Sequence, residues 1–264
     1  MPPIDPAVLR SQTTALAARL GEPRAAAAGV RALLDDYADR SHRPSPRLVG
    51  SEVENAYKTP GPVLRAVVSA LRDPARADPT AALALADALW AGDSREERRL
   101  AAEILGLVAI GLPGEALEMV ERWLPQLESG STADALAELG LGPLVRLDPP
   151  TYLAHAQRWA ALPDKWARRF ALALLRPLAA DRHWDNIPGA LVVIRRVMAD
   201  PDADVRRAAA EVLAALAPKS PPEMARFLRE QAGRSNSHTH WIVRHAMTAL
   251  DPAAQAEIVK RLRS

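Results

Sequence analysis

The sequence predicts an all-α fold, an α-solenoid of HEAT-like helix pairs, and three observations carry that expectation. Apolar residues make up 48% of the 264-residue chain but aromatic residues only 4%, so the core must be built mostly of Ala, Leu and Val. Ala and Leu have the best intrinsic helix propensities, and recurrent strand-like blocks of Val, Ile, Thr and Tyr are absent. A ten-residue pattern also repeats: EERRLAAEIL at 96–105, STADALAELG at 131–140, WARRFALALL at 166–175, DVRRAAAEVL at 204–213 and WIVRHAMTAL at 241–250. These windows start 35, 35, 38 and 37 residues apart, a period suited to helix pairs stacked in series.

Taken in order, the first helices are predicted at 5–20, 23–39, 62–72 and 79–91, with a Pro-, Arg- and Ser-bearing loop around 40–50. Each window is the second helix of a pair, and partner helices are expected at 113–127, 149–160, 187–199 and 219–232. LPG at 112–114, DPP at 148–150, LPD at 162–164, DPD at 200–202 and KSPP at 219–222 separate them. Asp or Ser beside Pro supplies a helix cap followed by a preset first-turn φ angle. Residues 1–264 thus read as one domain, with repeats over about 55–250 and a less regular N-terminal segment of about 50 residues.

The composition closes several routes. There is no Cys, so disulfides and thiolate metal sites are excluded. MPPIDPAVLR lacks the basic and then apolar order of a secretion signal, and ILGLVAIGLPG at 104–114 is too short and broken to span a bilayer. A cytoplasmic chain without a membrane partner is therefore expected, and it is read as a monomer. His238, His240 and His245 cluster in HTHWIVRH, but their spacing is a poor match to converging metal ligands, and no metal is expected. Ser237 and one of these His residues are expected to cap the helix instead. No nucleotide-binding glycine motif occurs, so no cofactor is expected. Trp90, Trp123 and Trp159 sit at helix ends and read as packing between repeats.

The net charge is only +2, but 30 of the 34 basic residues are Arg. A GC-rich genome accounts for much of such a bias, so what matters is where the arginines fall. Position four of the windows holds Arg99, Arg169, Arg207 and Arg244, while STADALAELG holds Asp134 there. Positions six and ten are Ala and Leu in the Arg-bearing copies, and are expected to face the core. Position four then lies at the core's border, able to reach the concave face. Positions one and four are one turn apart, pairing Trp166 with Arg169 and Trp241 with Arg244, with Arg168 and Arg206 alongside. Such arginines could track phosphates or cap loop carbonyls and pair with loop Asp residues. Both readings stay open at this point.

Several segments resemble the AlkD-like family of HEAT-repeat DNA glycosylases, the bacterial DNA alkylation repair proteins. ALWAGDSREERRLAAEILG (88–106) looks like that family's LW…EER.LA…L signature, and YKTPGPVLRAVVSAL (57–71) is similar to its G-x-x-x-P-x-x-R stretch. KWARRFALALL (165–175) and DADVRRAAAEVLAAL (202–216) resemble its following repeats. The resemblance implies a concave, Arg-lined surface holding duplex DNA that carries a cationic N3- or N7-alkylated purine. It implies excision of that base, with the catalytic Asp falling on Asp134 and a further family Arg on Arg169. DNA contacts are then expected from Arg99, Trp166, Arg168, Arg169, Arg206, Arg207, Trp241 and Arg244. The chain departs from the pattern at Gly130, four residues before Asp134, and near Glu211, where the family has Trp. Those departures suit either a roomier site for bulky adducts or a HEAT-repeat module that binds DNA or a protein without catalysis.

Overall fold

A computed structural model of the chain describes residues 4–39 and 56–263. Among these residues there is no strand, and the fold is the all-α solenoid of helix pairs that the sequence predicts. No helix of the described residues is long and apolar enough to cross a membrane. The chain divides into two compact units, Met1–Pro143 and Leu144–Ser264. The loop expected around 40–50 lies outside the described residues.

The first unit holds α1 (Pro6–Ala17), α2 (Pro23–Asp36), α3 (Gly61–Ala77), α4 (Pro79–Trp90), α5 (Arg95–Val108), α6 (Pro113–Trp123) and α7 (Gly130–Ala135). A π-turn over Leu136–Leu141 continues α7 directly into α8 (Gly142–Leu147), inside which the division between the units falls. Helices α1, α3, α5 and the π-turn pack side by side as one layer, and α2, α4 and α6 form the other. The second unit holds α9 (Pro149–Trp159), α10 (Lys165–Ala173), α11 (Arg176–Ala180), α12 (Ile187–Arg195), α13 (Ala203–Leu216), α14 (Pro221–Ala232), α15 (Ser237–Ala246) and α16 (Pro252–Arg263). One of its layers is α10, α13 and α15, with α9 packing on α12 and α14 on α16.

Local chemistry explains the helix starts. Asp5, Asp78 and Asp148 each precede Pro, and each carboxylate accepts a first-turn backbone N–H. Asp164 and Asp202 cap α10 and α13 in the same way. Ser220 departs from that expectation, since its side chain caps nothing. At α15 the cap is Asn236, which accepts from the Thr239 N–H at 2.9 Å, rather than Ser237 or a neighbouring His. Asp251 starts α16 by the Asp-Pro rule, accepting from Ala253 and Ala254 N–H groups at 3.0 Å. The repeat windows end at 250 and predict no helix there.

Positions six of the windows, Ala101, Leu136, Ala171, Ala209 and Ala246, are all buried, as periodicity requires. Position ten holds in the Arg-bearing copies, where Leu105, Leu175, Leu213 and Leu250 are buried. In the odd copy the π-turn inserts one residue into the helix. The fully buried Leu141, not Gly140, therefore takes the place of those leucines. Gly140 meets α5 instead, and a Cβ there would lie 3.3 Å from the Leu105 side chain of α5 and from that of Leu136 in the π-turn itself. Across the same contact, a Cβ on Gly106 would lie 2.0 Å from the Leu139 carbonyl oxygen. Only glycine admits that approach.

Large aromatics fill the joints between repeats. Trp90 and Trp123 stack with ring centroids 4.4 Å apart, and the Trp123 indole N–H donates to Asp87 at 2.9 Å. Trp159 packs edge-on to Phe170 at 5.2 Å. At the surface, a hydrogen bond from Arg195 on α12 holds the Glu230 carboxyl of α14 below the usual carboxylate range. The lowered value means this stabilisation is present above the unfolded-state value and fades as pH falls through the folded one. The pair is half exposed, so its contribution is small.

Candidate nucleic-acid interface and catalytic carboxylate

The arginines of the windows fall into two sets with different surroundings. At position three, Arg98 donates to the carbonyls of Gly92 and Gln126 and reaches Glu128 at 3.4 Å. Arg168 repeats the arrangement, with its Nη1 on the Leu162 and Pro163 carbonyls and a two-point grip on Asp200 at 2.6 and 3.2 Å. Arg206 donates to the carbonyls of Asp200 and Pro201 and reaches His238 Nδ1 at 3.1 Å. Each guanidinium thus bonds its own inter-helix loop and the start of the next repeat, which locks the register between pairs. Four of the five Arg168 N–H donors are engaged this way, leaving little for a phosphate. Removing Asp200 strands a guanidinium that is only 16% exposed. Asp200→Ala is expected to cost about 3 kcal/mol, measured by denaturant unfolding, with little dependence on salt. A loss below about 1 kcal/mol would demote the pair to an ordinary surface contact.

Position four is more varied. Arg99 is exposed and pairs with Glu103 one turn on, at 2.9 Å. Arg207 is exposed and pairs with Asp204 at 3.0 Å. Arg244 is exposed, with no hydrogen bond or ion pair to a described residue. Arg169 is not a border residue: it is 9% exposed and donates to the Asp204 carbonyl at 3.2 Å. The two Trp residues also differ. Trp166 is buried, with the Lys165 ammonium 4.1 Å from its ring centre. Trp241 is half-buried, stacked on His245 at 3.7 Å, and lies beneath the Arg206 guanidinium at 5.7 Å. Trp184 is buried as well. Glu211 is exposed, and its carboxylate accepts from Arg176 at 2.8 Å, which offsets the charge it would turn to a phosphate.

In the first unit, α3, α5 and α7 enclose a groove of about 480 Å³. Thr59, Gly61, Leu64 and Arg65 form one wall, Arg95, Glu96, Arg99 and Glu103 the floor, and Ser131, Thr132 and Ala135 the far wall. Arg95, Arg99 and Glu103 stand at successive i, i+4 positions and so share one face of α5. Arg65 and Arg95 were not among the sequence-predicted contacts. The available signal was that Arg95 lies one turn before Arg99 on the same face.

The groove's near wall is held in an unusual backbone shape by the EER segment. Lys58 has φ of 56°, the left-handed region that a side chain disfavours. The buried Glu96 carboxylate holds it there, accepting the N–H groups of Tyr57 at 3.2 Å and Lys58 at 2.9 Å. Glu97 turns the other way, bonding Arg31 of α2 at 2.5 Å and Ser94 at 2.8 Å. Burial, and then the Glu97 carboxylate, push the Tyr57 hydroxyl up from its ordinary value. Glu96→Ala would leave two N–H groups unpaired beside a strained residue. The expected loss is about 2–3 kcal/mol, measured as a shift in thermal and denaturant midpoints.

Asp134 lies on α7 between Thr132 and Ala135, about 100° around the helix from Ala135. It is half-buried and flanks the groove without lining it. The Ser129 hydroxyl caps α7 by accepting the Thr132 N–H at 3.2 Å, and the π-turn begins two residues after Asp134. Gly130 is the first residue of this helix, so no aromatic side chain stands on the turn before the carboxylate. Among the described residues no cluster of three or more metal-ligating acids or histidines occurs.

No curated protein matches the chain. A sequence model of the family described as DNA alkylation repair enzyme matches residues 30–250, most of its length, and the chain belongs to that family.

Proposed function

We propose that the protein is a DNA glycosylase that releases cationic N3- or N7-alkylated purines from duplex DNA, with Asp134 as its catalytic carboxylate. The observation that carries this reading is a half-buried Asp at the one window position where its siblings hold Arg, in a chain of an alkylation repair family. Alkylation makes the purine cationic, so the C1′–N bond breaks with its electron pair neutralising the base, and no general acid is needed. The sugar becomes oxocarbenium-like, and a nearby carboxylate stabilises that charge. Water then adds to C1′ and gives up a proton, for which the same carboxylate is a suitable acceptor.

Duplex contacts are assigned to the exposed Arg99 of the first unit and to Arg207, Trp241 and Arg244 of the second. Arg168, Arg169, Arg206 and Trp166 support these from within the repeats. The open turn at Gly130 suits a bulky adduct better than a close aromatic wall would. It also favours a second reading, a DNA-binding module without excision. The test is incubation of the protein with duplexes carrying 7-methylguanine, 3-methyladenine or a bulkier N7 adduct, scored by free base and abasic sites. Release from at least one supports the enzyme. Binding without release from any selects the second reading.

A further inference from the structure

We propose that the groove between α3, α5 and α7 is a phosphate clamp, in which Arg65 and Arg95 grip one backbone phosphodiester of the duplex beside Asp134. The inference deepens the DNA-binding part of the proposed function and rests on it. Exposed arginines without internal partners are ordinary on a protein surface. These two differ because they face each other's walls of one concave site.

The carboxylates of the described groove residues are already occupied. Both Glu96 oxygens accept backbone N–H groups, and Glu103 accepts from the Arg99 Nε at 2.9 Å. Arg65 and Arg95 have no hydrogen bond or ion pair to any described residue. The Arg65 guanidinium folds back over the first turn of α3, where a Cβ on Gly61 would lie 3.2 Å from its Nη1. That turn has no side-chain cap, because its N-cap residue is Pro60. A guanidinium is thus held against the positive end of a 17-residue helix. An anion between Arg65 and Arg95 relieves that repulsion.

The chemistry selects a phosphodiester over a base or a free nucleotide. Among the described residues no aromatic ring lines the groove, so these offer no platform on which a base could stack. Guanidinium forks match phosphate oxygens, and such contacts set position without reading sequence. The far wall, Ser131, Thr132 and Ala135, belongs to the helix turn that carries Asp134. A linkage held there lies within about one helix width, roughly 10 Å, of the carboxylate. The clamp therefore fixes which nucleotide Asp134 faces, and Arg65 and Arg95 are positioning residues.

The experiment uses the full chain and unmodified duplex DNA, so it does not depend on excision. Arg65→Gln/Arg95→Gln is expected to weaken binding on the order of tenfold at low salt and, because one phosphate contact is lost, to flatten the log–log salt slope by about one. Arg65→Lys/Arg95→Lys, which keeps the charge, should recover most of the slope. An unchanged slope in the Gln variant overturns the clamp. Neither result bears on Asp134, whose failure would appear as wild-type protein that binds through the clamp yet releases no base. Both side chains are exposed and without internal partners, so an unchanged thermal midpoint checks that the fold is kept.

Discussion

Asp134→Asn is expected to abolish release of alkylated purines while leaving duplex binding within about twofold of wild type. The substitution keeps the size of the side chain and removes only its charge. A cationic purine leaves as a neutral base, so the developing charge resides on the sugar, and an amide offers it little. Loss of one preorganised electrostatic partner in a comparable site costs about 10²–10³ in kcat. Here the carboxylate is assigned both oxocarbenium stabilisation and proton acceptance, so the loss should lie at or beyond the upper end. Single-turnover release from a 7-methylguanine duplex measures it, since product release then does not mask chemistry. Binding is scored separately, by titration of unmodified duplex. A variant that excises within tenfold of wild type would remove Asp134 from the chemistry. A variant that loses binding in proportion would make it a DNA-contact residue instead.

The register that puts Asp134 at position four was legible in the sequence because it precedes the helix irregularity: positions one to six of its window keep the register of their siblings. Position ten was not, because a π-turn shifts the count by one, and no residue type announces a π-turn as Gly or Pro announces a bend. The Arg row was only half legible. Periodicity told position three from position four, but whether a guanidinium turns to its own loop depends on carbonyls supplied 5–6 residues upstream and on an acid about 30 residues downstream. Arg169 shows the limit well. It shares a window position with the exposed Arg207 and Arg244 yet is buried, bonded to the Asp204 carbonyl of the next repeat. Helix starts were readable at Asp5, Asp78 and Asp148, where Asp precedes Pro and both halves of that signal act locally, but the same pair at Asp251 went unread and Asp73–Pro74 lies inside α3. The groove was not readable, because it joins residues of three helices that only tertiary packing brings together.

Gly106→Ala should be the most damaging small substitution in the first unit, and it tests how α5 holds the segment that follows Asp134. The new Cβ would stand 2.0 Å from the Leu139 carbonyl oxygen and 3.1 Å from its carbon. Both are backbone atoms, so no rotamer change clears the contact, and α5 or the π-turn must move. Overpacking of this kind costs about 1–3 kcal/mol and sometimes more, and a backbone obstacle places it at about 3 kcal/mol. Gly140→Ala is the internal comparison. Its Cβ would meet side-chain methyls of Leu105 and Leu136 at 3.3 Å, which can shift by a few tenths of an ångström. Its cost should stay near 1 kcal/mol. Denaturant unfolding of the two variants side by side gives the answer. Equal and small losses would mean that α5 and the π-turn are not in the contact described. A large Gly106 loss with a small Gly140 loss would show that the backbone itself, rather than side-chain filling, sets the seat of Asp134. Moving that seat should also lower kcat for base release while leaving the affinity for unmodified duplex nearly unchanged, because the clamp arginines lie near the N-terminal ends of α3 and α5, away from Gly106.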